Sequence, residues 1–181
     1  MSKKTEKCLI LGPSGSGKDH LLRKLSEMGM KPGLKWTTRP IRKYEKQGVT
    51  YNFVEKELFL EAIDQKKFLS YQKFDVTPEN SDPETWYYGI NIDDFFNSEV
   101  FIMTPGEFKE LHPELRKKCF VVYLDISREI RERRIKGRND KNDSVQRRLD
   151  ADDIDFADLS DYDLRITDHE FDPKDVYEFI Y

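Results

Sequence analysis

Gly12-Pro13-Ser14-Gly15-Ser16-Gly17-Lys18 is the stretch on which the reading of this chain turns. It follows the apolar run Lys7–Leu11 and precedes residues 19–28, where Leu21, Leu22 and Leu25 share one helical face. A strand, a loop with three glycines and a helix in that order read as a phosphate-binding loop. Glycine lets successive N–H groups turn inward, a geometry that a Cβ resists. Gly12, Pro13, Ser14, Gly15, Ser16 and Gly17 would cradle phosphate oxygens at a helix N-terminus. Lys18 would reach the outer phosphates of a nucleoside triphosphate. Such loops usually place a Ser or Thr hydroxyl next, on Mg2+; here the residue is Asp19. A carboxylate suits a hard cation, so Asp19 is the candidate metal ligand. Capping the helix is its alternative role.

The 181 residues are 37% hydrophobic, 36% charged and 13% aromatic, which predicts one ordered domain with a real core and excludes a disordered chain. A net charge of −4 excludes a general polyanion binder, so no nucleic-acid partner is expected. No apolar run approaches the roughly 18 residues of a membrane span. Neither that nor a signal-peptide pattern being present, a cytoplasmic protein is expected. Cys8 and Cys119 sit in apolar runs and read as buried thiols. His20, His112 and His169 lack metal-ligand spacing.

Further along, residues 100–103 and 120–124 are apolar runs of strand length, each followed by a polar turn and a helix-like segment. In the segment 127–136, Ile130 and Ile135 point one way and the arginines the other. Asp143-Ser144-Val145-Gln146 predicts a helix start of the capping-box type. Leu164–Ile166 is a short strand candidate, and Asp172-Pro173 opens a last helix. Alternating strands and helices predict an α/β fold, a parallel sheet flanked by helices. Residues 34–93 differ: they are rich in Trp, Tyr and Phe, with one predicted helix at 55–63 and a predicted surface loop at 75–85. They read as an inserted subdomain. Within them, Arg39 and Arg42 stand three apart on a Pro-stiffened segment, with tyrosines to follow. Two guanidinium groups and a phenol hydroxyl suit a phosphate dianion.

The order of these elements resembles the guanylate kinase family. The resemblance runs from the loop 12–18 through Thr37-Thr38-Arg39-Pro40-Ile41-Arg42, Tyr51-Asn52-Phe53-Val54 and Tyr87-Tyr88-Gly89. It ends on Arg134-Ile135-Lys136-Gly137-Arg138 and Arg147-Arg148-Leu149. It implies a P-loop NTPase fold with a core (1–33, 94–134, 147–181), an acceptor-binding subdomain (34–93) and a lid (135–146). It implies ATP and Mg2+ as cofactors and small-molecule nucleotide substrates, with GMP or dGMP the first acceptor. The acceptor phosphate would lie on Arg39, Arg42, Tyr51 and Tyr88. Lys18, Arg134, Arg138 and Arg148 would surround the transferring group, in a monomer or homodimer. Asp150, Asp152, Asp153 and Asp155 are expected to be solvated or paired with lid arginines, without a catalytic role.

Three positions depart from the family pattern. Ser70 stands where the family carries the Glu that reads the guanine edge, and Ile90 stands where it carries Ser. Met103-Thr104-Pro105-Gly106 replaces a strand-end acidic pair. Ser70 can still hydrogen-bond but gives up the charged acceptor. Phosphate handling is therefore expected to be kept better than base recognition, with a shifted or relaxed base preference, or readout by other groups such as Gln72, Asp75 or the 75–85 loop. The Gly12–Asp19 loop is also similar to that of ribose 1,5-bisphosphate kinases and of phage-type guanylate-kinase-like proteins. A sugar-phosphate kinase and a non-catalytic guanylate-kinase-like binding module are the alternatives.

Overall fold

Lys7–Leu11 is buried at every residue and forms the central strand β1 of a computed structural model that describes residues 6–43, 45–77, 82–137 and 144–181. Helix α1 (Lys18–Glu27) follows the loop, then the two short strands β2 (Trp36–Thr37) and β3 (Asn52–Phe53). Helix α2 (Lys56–Asp64) precedes the hairpin of β4 (Phe68–Val76) and β5 (Glu84–Asn91), and α3 (Ile92–Phe96) closes this part. The chain continues through β6 (Val100–Ile102), α4 (Pro105–Lys109), α5 (Pro113–Arg116), β7 (Cys119–Leu124) and α6 (Arg128–Gly137). It ends with α7 (Val145–Asp155), β8 (Leu164–Ile166) and α8 (Pro173–Ile180).

Two compact units result: Met1–Pro32 with Glu99–Tyr181, and Gly33–Ser98. In the first, four parallel strands run in the order β6-β1-β7-β8. Strands covered on both faces by helices can be apolar throughout, which is why β1 and β7 read as continuous hydrophobic runs. Cys8, Ile10, Val100, Val122 and Leu124 of the sheet pack with Leu21 and Leu25 of α1 and with Val176 and Ile180 of α8. Cys8 and Cys119 are buried free thiols, and burial pushes the Cys119 thiol up to about 11, so it stays protonated. The sheet is stitched where the second unit leaves and returns. The Lys31 carbonyl accepts from the N–H groups of both Glu99 and Val100, and the Glu99 carboxylate accepts from the Lys31 N–H.

The second unit holds a mixed sheet in the order β3-β2-β5-β4, with α2 and α3. Thr37 and Thr38 knit β2 to β5: Thr37 Oγ1 donates to the Tyr87 carbonyl, and Thr38 Oγ1 accepts from the Tyr87 N–H. Phe59 of α2 stacks on Phe68, with ring centroids 4.4 Å apart, and lies 5.4 Å from the Tyr87 ring. These aromatics rest on Gly89, where a Cβ would come within 2.7 Å of the Phe68 ring and 2.9 Å of Phe59 Cζ. That close approach is why a glycine follows the two tyrosines.

Four expectations are corrected. The 75–85 segment is mostly strand at its ends, because β4 runs to Val76 and β5 begins at Glu84. Its register pairs Asp75 with Thr85 across the hairpin. The aromatic unit has a second helix, α3, capped by Asn91. Ser144 does cap α7, accepting from the Arg147 N–H. Residue 147 is an arginine and returns no carboxylate, and a full capping box forms instead between Thr104 and Glu107. Arg131 does not face solvent with its neighbours; it is 4% exposed.

Gly89→Ala should destabilise the Gly33–Ser98 unit by about 1–3 kcal/mol through overpacking. The chain's two tryptophans, Trp36 and Trp86, both lie in that unit, so fluorescence-detected urea unfolding reads it directly. An unchanged midpoint would mean that the aromatic stack does not depend on this glycine.

Candidate active site

The loop after β1 turns through a Ser16 N–H to Pro13 carbonyl bond of 3.1 Å, with Gly15 and Gly17 at φ +77° and +101°. Those values lie in the left-handed region that Cβ-bearing residues avoid. Gly17 is the N-cap of α1 and, having no side chain, caps none of its first amides. A helix start of that kind directs donors and a positive dipole end at an anion. Lys18 Nζ donates to the loop carbonyls of Gly12, at 2.5 Å, and Pro13, at 3.0 Å, so its ammonium is held at the mouth of the loop. Asp19 is exposed in the first turn of α1. Its capping alternative falls, because Gly17 occupies the cap. Among the described residues no cluster of three Asp, Glu, His or Cys could hold a metal. Mg2+ arriving on phosphates needs only one or two carboxylates, and exposed Asp19 fits that donor set.

The helices α6 and α7 supply the charges around this loop. Arg134 is half-buried, donating from Nη1 to the Gly15 carbonyl and from Nη2 to the His169 carbonyl, both at 3.1 Å. Arg148 is half-buried near the start of α7. Arg138 and the rest of residues 138–143, half of the expected lid, lie outside the described residues. The acidic run, expected to be solvated or paired with lid arginines, pairs in part with arginines of α6. Asp150 and Asp153 pair with Arg128, Asp153 also pairs with Arg131 at 2.9 Å, and Asp152 Oδ2 accepts from the Ser14 N–H at 2.8 Å. The sequence reading missed both Arg131 and Asp152. Their signal was there: an arginine at the period of Ile135 on the inward side of α6, and acids directly following a basic helix.

The residues expected to hold an acceptor phosphate lie in the Gly33–Ser98 unit. Arg39 is 5% exposed, with its guanidinium over the Tyr51 and Phe53 rings at 5.1 and 5.3 Å. Glu45 grips it with both oxygens, at 2.6 and 2.5 Å, and also accepts from the Arg42 N–H at 2.9 Å. Burial disfavours the charge on Glu45. The bonds from Arg39 and Arg42 outweigh it and hold the carboxyl below its ordinary range. Burial likewise opposes the Arg39 cation, and Glu45, with Tyr88 and Tyr51, more than restores it. Tyr88 is raised by burial against the pull of Arg39 and Arg42, and its ring stands 6.1 Å from Tyr51. The structure thus gathers Tyr51 and Tyr88 about Arg39 and joins Arg39 to Arg42 through Glu45, a residue the sequence reading did not single out. Its signal was a lone acid among Arg39, Arg42, Lys43 and Lys46.

Ser70 pairs with Ile90 and Gln72 with Tyr88, so strand alternation puts all four on one face of the hairpin. Ser70 Oγ is buried without a hydrogen-bond partner. Asp75 accepts from Thr85 Oγ1 at 2.7 Å.

A phosphate loop at the end of the central strand of a parallel, helix-covered sheet is the P-loop NTPase architecture. A family model described as guanylate kinase matches residues 4–78. A guanylate kinase of Campylobacter jejuni (strain RM1221) is 31% identical over 181 residues, covering 94% of this chain and 83% of the relative. One from Vibrio cholerae is 29% identical over 175 residues, covering 91% and 80%. The crystal structure of guanylate kinase from Anaplasma phagocytophilum has the same fold, with a TM-score of 0.65 at 21% identity over 99% of this chain and 85% of that one. The chain belongs to the guanylate kinase family. Among the described residues no helix is long and apolar enough to cross a membrane.

Glu45→Gln should cost about 3 kcal/mol at neutral pH by leaving a buried guanidinium without its counter-charge. Because the folded carboxyl titrates below its unfolded value, the difference between wild type and variant is full above the ordinary carboxylate range. It should shrink as pH falls through the depressed folded value. Urea titrations across acid pH check this; a pH-independent difference would contradict it.

Proposed function

We propose that this chain is an ATP-dependent nucleoside-monophosphate kinase that passes the γ-phosphoryl group of ATP to GMP or dGMP. One observation supports the reading: a single chain holds two clusters of hydrogen-bond donors of different construction, each suited to an anion. The loop 12–18 offers backbone N–H groups and an ammonium, which suits a polyphosphate chain. The site in Gly33–Ser98 offers two guanidiniums and two phenols, which suits one phosphate dianion. A donor polyphosphate and an acceptor phosphate are the two reactants of such a kinase.

In this reading an acceptor phosphate oxygen attacks the γ-phosphorus while the bond to the β,γ-bridging oxygen breaks, and ADP leaves with that electron pair. The transition state is loose, so the protein's work is alignment and charge stabilisation. The Gly12–Gly17 amides hold the donor's phosphates, and Lys18 exchanges the Gly12 and Pro13 carbonyls for phosphate oxygens. Mg2+, when bound through those phosphates and Asp19, would neutralise part of the charge developing on the transferred group. Arg134, Arg148 and Arg138 are assigned to the phosphates of the donor side, with closure of 135–146 excluding water. On the acceptor side, Glu45 spends two directions of the Arg39 fork and fixes its plane. Arg42, Tyr51 and Tyr88 then share the acceptor phosphate with the remaining Arg39 donors.

Ser70 gives the second element of the reading. A buried hydroxyl stands where a charged acceptor would read guanine, so discrimination among bases is expected to be weak or to rest on Gln72.

A coupled assay of ADP release across the common ribo- and deoxyribonucleoside monophosphates should show turnover with GMP or dGMP. No turnover with any of them would sink the proposal. Ribose 1,5-bisphosphate in the same assay tests the sugar-phosphate alternative. Lys18→Ala should lower kcat/KM by about 10²–10³-fold, the usual worth of one donor aimed at developing charge.

A further inference from the structure

Arg131 is a buried cation that the roles above leave unused. Its side chain is 5% exposed, yet it is anchored twice: Nε donates to the Ile126 carbonyl at 3.0 Å and Nη2 to Asp153 at 2.9 Å. Those anchors fix the guanidinium plane and aim Nη1. That atom is buried without a hydrogen-bond partner. It lies 3.7 Å from Asp152 Oδ2, beyond hydrogen-bond reach. The same Oδ2 accepts the Ser14 N–H, inside the phosphate loop. The Arg131 backbone also underlies the loop, since a Cβ on Gly15 would come within 2.9 Å of the Arg131 carbonyl oxygen.

One amide donor and one guanidinium donor therefore converge on a point held by a carboxylate oxygen. A carboxylate oxygen and a phosphate oxygen make the same demand: negative charge accepting short, charge-assisted bonds. An unpaired donor on a buried cation is costly, and Asp152 as placed leaves that cost standing. A phosphate oxygen reaching both donors would remove it. We propose that the Ser14 N–H and Arg131 Nη1 form a further anion subsite of the phosphate loop, for which Asp152 and a phosphate oxygen of ATP compete. Arg131 is then a nucleotide-contacting residue, and Asp152 sets the affinity of the loop by occupying it. When the phosphate takes the Ser14 amide, the carboxylate is repelled from the loop. The inference rests on the loop 12–18 being the ATP site.

Equilibrium binding of ATP, without acceptor and both with and without Mg2+, tests it on the full chain. Asp152→Asn and Asp152→Ala should each tighten ATP about tenfold, the worth of one charge-assisted hydrogen bond. Arg131→Gln should weaken ATP by about the same factor, and in that background Asp152→Asn should lose most of its effect. A merely structural Asp152 would lower the melting temperature without tightening ATP, and that result overturns the proposal. So does weaker binding of Asp152→Asn confined to Mg2+ buffers, which would make Asp152 a metal ligand. If Arg131→Gln does not fold, the Asp152→Asn result decides alone. Lys18→Ala separates the two levels. Wild-type binding that survives Lys18→Ala refutes the loop as the ATP site. Binding lost in Lys18→Ala but unchanged in Asp152→Asn refutes only the shared subsite.

Discussion

A set of hydrogen-bond donors and cations gathered in one place carries a positive field of its own, and a folded chain must balance it. Both units of this protein do so with carboxylates. In the loop, the Ser14 amide meets Asp152, while Asp150 and Asp153 balance Arg128 and Arg131. In the aromatic unit, Glu45 closes on the Arg39 fork and on the Arg42 amide. The two balances differ in kind. Glu45 is bidentate and mostly buried, and with the Pro40 carbonyl and the Tyr51 and Phe53 rings it fixes the orientation of the Arg39 cation. Asp152 makes one bond to an amide and stops short of one to Arg131. The first arrangement behaves as scaffold and the second as a substitute ligand.

Packing makes these electrostatics possible. Gly15 lies so close to the α6 backbone that any side chain would push the helix away, which couples the shape of the loop to the position of Arg131. Gly89 does the same for the aromatic unit, letting Phe59 and Phe68 stack on the strand that carries Tyr87 and Tyr88. Each glycine trades a side chain for a close approach that places a charged or phenolic group.

The parallel sheet was legible because β1 and β7 are buried nearly throughout and read as apolar runs, and β1 and the shorter, half-buried β8 fall on their expected residues. The phosphate loop was legible because its glycines and lysine have little other reason to occur together after a strand. The aromatic unit was less so. Its two-residue strands β2 and β3 carry no period, and its long hairpin is half-exposed, so polar residues near Asp75 imitate a loop. In the candidate site, cations were visible and their counter-ions were not. A carboxylate such as Glu45 or Asp152 acquires meaning only from what the fold brings to it. Arg131 was misread because its helix was read by its charges, while its spacing of four from buried Ile135 was the sign that it faces inward.

The carbonyl of Lys31 bonds the N–H groups of both Glu99 and Val100, so the point where the chain departs for the aromatic unit and the point where it rejoins are one hydrogen-bonded step apart. The parallel sheet closes across that step without needing anything between residues 33 and 98. Such a seam makes the excursion a cassette. Its hairpin, its stacked rings and its arginines can change in sequence without breaking a rung of the β6-β1-β7-β8 ladder.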